Sequence, residues 1–354
     1  MVRCERSDWE LVSTAAFAAN CANLEVWPSW VDSPARKTLL SLRTPTPMSP
    51  SETINACAAL KELCGKLNDP APSVVWAGGV HAALGWMCRH TRHANVVAEC
   101  WRAITACLSG CARCTAVYLQ TAARVVSTEA PNMAISCMVS FPTSVDVTLT
   151  SMEFLHKAAQ SHTIDAMPSQ LRHRAAIECA MGMSRHVFVK KIMWTGILCL
   201  RYLTTDEGEQ LPVTDLQGIE LAEILMAAMI AHPEPDGNVL YHAILLMLKL
   251  CTTTRVNLIR ARNARAKDTV LTAIVAFEKV KEARSYELER ASLLLRMLDG
   301  TEPGYEKPPG GPAEVRPKKK GLSTLFVRRS LMENERSRHY YYRDRLRTSI
   351  GKPY

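Results

Sequence analysis

Apolar residues recur along this chain at three- and four-residue steps, separated by polar stretches. Within 95 to 110 the positions Val97, Trp101, Ile104 and Leu108 fall on one stripe, and within 186 to 205 Val189, Met193, Ile197 and Leu200 do the same. That period puts a broad apolar face along one side of an α-helix. Six such segments open at residues 49, 95, 144, 186, 237 and 283, so successive starts lie 46, 49, 42, 51 and 46 residues apart. Each apolar face needs a neighbour to cover it. The pattern supplies partners in the intervals, at 74 to 90, 167 to 183, 216 to 232 and 266 to 283, and predicts two short helices between 110 and 143, divided near Ala130-Pro131. Ser49-Pro50-Ser51-Glu52 has the form of a capping box with proline at the first helical position. Ser7 to Glu10 and Thr214 to Gln217 are further start signals. No run of alternating β-branched residues calls for a strand, so the predicted class is all-α.

A resemblance follows from two of these segments. GGVHAALGWMCRHTRHANVVAECWRAITACLSG has a glycine turn entering a helix, a polar loop containing Asn95, and a longer helix of the form V-x3-W-x2-I-x3-L. It resembles an armadillo repeat, and HVFVKKIMWTGILCLRYLTT is similar to the last helix of such a repeat. The resemblance covers residues 49 to 300, with 1 to 48 as a capping helix and linker. It implies a right-handed α-solenoid whose concave wall binds other proteins, without catalysis or a cofactor. Armadillo import receptors hold basic peptides with a Trp and an Asn four residues apart. Here Thr105 follows Trp101 and Leu198 follows Trp194 at that step, so the ladder is missing and basic cargo is not expected.

Charge separates the ends of the chain. Residues 301 to 354 hold 13 Lys+Arg against 6 Asp+Glu, a net of +7, whereas residues 1 to 300 carry only +2. EPGYEKPPGGPAEVRPKKK breaks helices and predicts an extended linker, while Leu322, Leu325, Phe326, Val327, Leu331 and Met332 suit one short amphipathic helix. The candidate partner-binding residues of this tail are Lys318, Lys319, Lys320, Arg328, Arg329, Arg336, Arg338, Tyr340, Tyr341, Tyr342, Arg343, Arg345 and Arg347. Arginines interleaved with tyrosines suit a polyanion. Two assemblies fit: the acidic surface of a microtubule or axoneme, with tubulin as the partner, or a nucleic acid, as in an RNA-binding ribonucleoprotein subunit. Armadillo-repeat proteins serve as docking parts of axonemes, and that analogy favours a cytoskeletal or ciliary scaffold. A solvated tail that only aids solubility is the plainer alternative. PKKKG also matches a nuclear localisation signal, a short and weakly specific pattern.

The 13 cysteines raise a different chemistry. Cys107, Cys111 and Cys114 stand in the C-x3-C-x2-C spacing by which radical enzymes ligate an iron–sulfur cluster. That chemistry needs the triad in a loop after a strand, and no strand precedes it here, so the metalloenzyme is the remote reading and small buried thiols in helix packing the nearer one. Cys88, His90 and His93 carry zinc-ligand types, yet CRHTRH reads more simply as a polar inter-helix loop and paired C-x2-C knuckles are lacking. No metal is expected. The sequence has no G-x-S-x-G, no G-x4-G-K-[ST] and no H-E-x-x-H, and Glu153 and Glu178 stand singly among apolar residues, so an enzyme is not expected. The longest apolar run, ILMAAMIA at 224 to 231, is too short to span a bilayer. Acidic residues Glu5, Asp8 and Glu10 argue against a signal peptide or presequence, and the expected location is cytoplasmic.

Overall fold

A computed structural model of the chain describes residues 48–65, 74–75, 78–109, 116–126, 128–160, 167–203, 221–234, 238–253, 255–278 and 285–300. The chain divides into two units, Met1–Glu302 and Pro303–Tyr354, and all described residues belong to the first. The N-terminal cap, the Thr214 start signal, Cys111, Cys114 and the whole tail lie outside the described residues.

Among the described residues there are 13 helices and no strands. In chain order they are α1 (Pro50–Gly65), α2 (Gly79–Arg89), α3 (Ala94–Ser109), α4 (Ala116–Val126), α5 (Ala130–Ser140), α6 (Val145–Gln160) and α7 (Ser169–Arg185). There follow α8 (Lys190–Leu203), α9 (Leu221–Ala231), α10 (Asn238–Thr253), α11 (Arg255–Asn263), α12 (Ala266–Glu278) and α13 (Ser285–Asp299). The capping box closes α1 reciprocally: Glu52 N–H donates to Ser49 Oγ at 3.3 Å while Ser49 N–H donates to a Glu52 carboxylate oxygen at 2.7 Å. Two orphan donors of the first turn are thereby satisfied. Gly78 enters α2 with φ 84°, a left-handed turn that suits glycine, and Gly300 leaves α13 with φ 72°.

The six helices with the long apolar stripe form one row, in which α1 packs on α3, α3 on α6, α6 on α8, α8 on α10 and α10 on α13. A second row takes the alternate elements: α5 packs on α7, α7 on α9 and α9 on α12. Each member of the second row also packs on the helix that follows it in the first. The predicted period is therefore a packing period. Polar links between neighbouring repeats repeat it: Arg102 to Asp146, His186 to Pro142 and Lys190 to Glu234 each span 44 residues, and His232 to Val187 spans 45.

The stripe residues are the core. Trp101 is 0% exposed and stacks at 4.9 Å on Phe154 of α6, also 0% exposed, so the α3–α6 joint is closed by two large aromatics. At the α6–α7–α8 joint glycine permits close approach: a Cβ on Gly196 would stand 2.5 Å from Met183 Cγ, and one on Gly182 would stand 2.5 Å from Met152 Cε.

Histidines at the ends of α2, α7 and α9 tie these helices to segments earlier in the chain. His90 caps α2 and its Nε2 lies 3.0 Å from Thr53 Oγ1. His186 caps α7 and donates from Nε2 to Pro142 O at 3.2 Å, and His232, just beyond α9, donates from Nε2 to Val187 O at 2.9 Å. Phe141 holds the same place after α5. Burial lowers the pKa of His90 and of His186, so the neutral ring that makes these bonds is favoured.

Candidate functional site

A row of stacked helices buries one stripe and leaves a second face of each helix open. On α6, α8, α10 and α13 that open face carries His156, Trp194, Arg201, Tyr202, Tyr241, His242, Tyr286 and Arg290. Apolar periodicity dictates which positions point inward, and the residues beside the stripe are left half-exposed.

Side-chain contacts bridge these four helices pairwise. The His156 ring lies 5.4 Å from that of Tyr202, linking α6 to α8. Arg201, adjacent to Tyr202, donates from Nη1 to His242 Nδ1 at 2.6 Å, linking α8 to α10. Tyr241, adjacent to His242, meets Tyr286 edge to face at 6.2 Å, linking α10 to α13. The Arg290 guanidinium then covers the Tyr286 ring at 4.9 Å. Trp194, Tyr202 and Tyr286 are 38%, 36% and 49% exposed, enough to touch a partner.

Burial pushes the His156 pKa down to about 4, with the Lys157 charge adding to it, and burial with the Arg201 charge pushes His242 down to about 4. Both imidazoles are neutral at pH 7. The charged members of the ladder are then Arg201 and Arg290, with the Glu287 carboxylate acting on Tyr241 among them. A further carboxylate, Glu153, stands on α6: burial raises its pKa, and the cations Lys191 and Arg102 oppose that rise. Arg102 pairs with Glu99 and reaches Asp146 at 3.4 Å. Rings and guanidiniums arranged this way can stack on aromatic side chains and pair with carboxylates.

No protein-family model and no curated protein matches this chain. The armadillo-like segments therefore confer no family membership.

The 13 tail residues singled out above all lie outside the described residues. Of the metal candidates, Cys107 is buried in α3, His90 bonds to Thr53, and no group of three or more potential ligands gathers among the described residues. Glu178 pairs with Arg185 at 3.3 Å, and Arg185 also donates to Met138 O at 3.2 Å. Among the described residues no helix is long and apolar enough to cross a membrane.

The sequence reading missed the ladder because it sought a Trp with an Asn four residues on. The usable signal was Tyr202, Tyr241 and Tyr286, each next to or near a basic residue or histidine and each just outside an apolar stripe. Trp101 is wholly buried and cannot serve a peptide-binding ladder.

Proposed function

We propose that the chain is a non-catalytic interaction scaffold, an armadillo-like right-handed solenoid whose first-row face holds an acidic segment of a protein partner. The bridging contacts His156–Tyr202, Arg201–His242 and Tyr241–Tyr286, with Arg290 over Tyr286, carry this reading, since they hold rings and cations in place along four first-row helices. Ordered side chains lose less conformational freedom on binding, so a pre-stacked ladder suits docking better than free surface residues do. The basic tail adds a second, salt-sensitive contact, and the acidic surface of a microtubule or axoneme is the assembly we favour for it.

Co-sedimentation with polymerised tubulin over a salt series, run beside binding to a single-stranded RNA, tests the reading. Binding to microtubules that weakens with salt, and weakens further on deleting residues 301 to 354, supports it. Retention on RNA alone, lost when Tyr340, Tyr341 and Tyr342 become alanine, supports the ribonucleoprotein role instead.

A further inference from the structure

The α1–α3 joint holds two thiol pairs that the interaction reading does not use. Cys57 and Cys64 stand seven residues apart on α1, and Cys100 and Cys107 seven apart on α3. Seven residues are about two helical turns, so each helix offers both thiols on one side. Cys57 Sγ lies 3.4 Å from Cys100 Sγ, and Cys64 Sγ lies 3.5 Å from Cys107 Sγ. A disulfide is about 2.05 Å long, so all four are free thiols and each pair must close by about 1.4 Å to bond.

The two pairs differ in access and in freedom to move. Cys57 and Cys100 are 1% and 0% exposed and sit within the middle turns of their helices. The hydrogen bond between Cys100 and Cys57, together with burial, raises the Cys100 pKa well above the ordinary thiol value, which keeps it protonated and a poor nucleophile. Cys64 is only half-buried and is the penultimate residue of α1, in a last turn whose carbonyls have no helical partners and which can fray. A third pair, Cys179 and Cys199 at 3.6 Å, is as close but 0% exposed on both sides and provides an internal control.

We propose that Cys64 and Cys107 form an oxidisable dithiol, a modification site that a hydroperoxide or a small disulfide closes to a cystine linking α1 to α3. With a hydroperoxide, the Cys64 thiolate attacks the outer oxygen, the O–O bond breaks, and an alcohol or water leaves as Cys64 becomes a sulfenic acid. The Cys107 thiol then attacks that sulfur, the S–S bond forms, and water leaves, so two thiols supply the two electrons that reduce one peroxide. With oxidised glutathione, Cys64 forms a mixed disulfide and releases one glutathione thiol, and Cys107 displaces the second. Half-buried Cys64 is the entry point and buried Cys107 the resolving thiol. External dithiol reverses the bond by the same exchange.

The full chain is treated with hydrogen peroxide, and separately with oxidised glutathione, then alkylated, digested and followed by mass spectrometry over time. The Cys64–Cys107 cross-linked peptide is expected first, at least about tenfold faster than Cys57–Cys100 or Cys179–Cys199, and it should vanish with dithiothreitol. Cys64→Ser should leave Cys107 reduced over the same period, and Cys111→Ser with Cys114→Ser should leave the cross-link unchanged. Equal rates for the three pairs, pairing of Cys107 with Cys111 or Cys114, or sulfinic acid at Cys64 without a cross-link would each overturn the assignment.

Discussion

Between α1 and α3 the first row is closed by small thiols, whereas between α8, α10 and α13 it is also bridged by half-exposed rings and guanidiniums. Both joints satisfy the same packing period. The first uses side chains too short to reach past the interface, so most of its chemistry stays inside. The second uses long side chains that begin beside the core stripe and end at the surface, as amphipathic residues do. Rows of stacked helices thus fix where neighbours touch and leave the residues next to the stripe at the surface.

The sharpest break in this comparison is Trp101→Ala set against Tyr286→Ala. Emptying the buried α3–α6 contact should cost about 3–5 kcal/mol, while the exposed ladder ring should cost no more than about 0.5 kcal/mol, both read by denaturant unfolding. Next is Gly196→Ala, where the added Cβ meets the middle of the buried Met183 side chain and should cost about 1–3 kcal/mol. Gly182→Ala should cost less, because its closest neighbour is the movable end of Met152.

Acidification separates the regions more gently. His156 and His242 hold folded pKa values near 4 against an ordinary 6.5, so the unfolded chain takes up their protons first. Their contribution is fully present above pH 6.5 and is lost as pH falls toward 4. Tm should decline across that window in the wild type, and His156→Gln with His242→Gln should flatten the decline. Lys190→Ala is expected to have the smallest effect: its pair with Glu234 at 3.3 Å is half-exposed on both sides, and the change in stability should lie within about 0.5 kcal/mol.

The helical class, the six-helix period, the partner helices and the capping box at Ser49 were legible because each rests on local spacing and one or two side-chain types. The two short helices divided near Ala130 were legible too, as α4 and α5. The separate helix α11 was not, since its polar, arginine-rich sequence RVNLIRARN carries little apolar period. His90 stood with Cys88 and His93 among zinc-ligand types in a polar loop, whereas its ring meets Thr53, 37 residues earlier in the chain. No local pattern announces such a bond. Its meaning emerges only beside His186 and His232, which hold the same place in later repeats. The ladder was hidden for the same reason: each member is an ordinary polar or aromatic residue in its own helix, and only the stacking of helices brings them into contact.

The central claim is that this stacked face, and not the basic tail alone, holds the partner. The most direct measurement is microtubule co-sedimentation of Arg201→Glu with Arg290→Glu in the full chain, after matching its unfolding midpoint to the wild type. The account predicts at least about a tenfold loss of affinity with the tail intact, because two fixed cations facing an acidic segment become repulsive. Unchanged affinity in that folded variant, with all binding lost on removing residues 301 to 354, would contradict it.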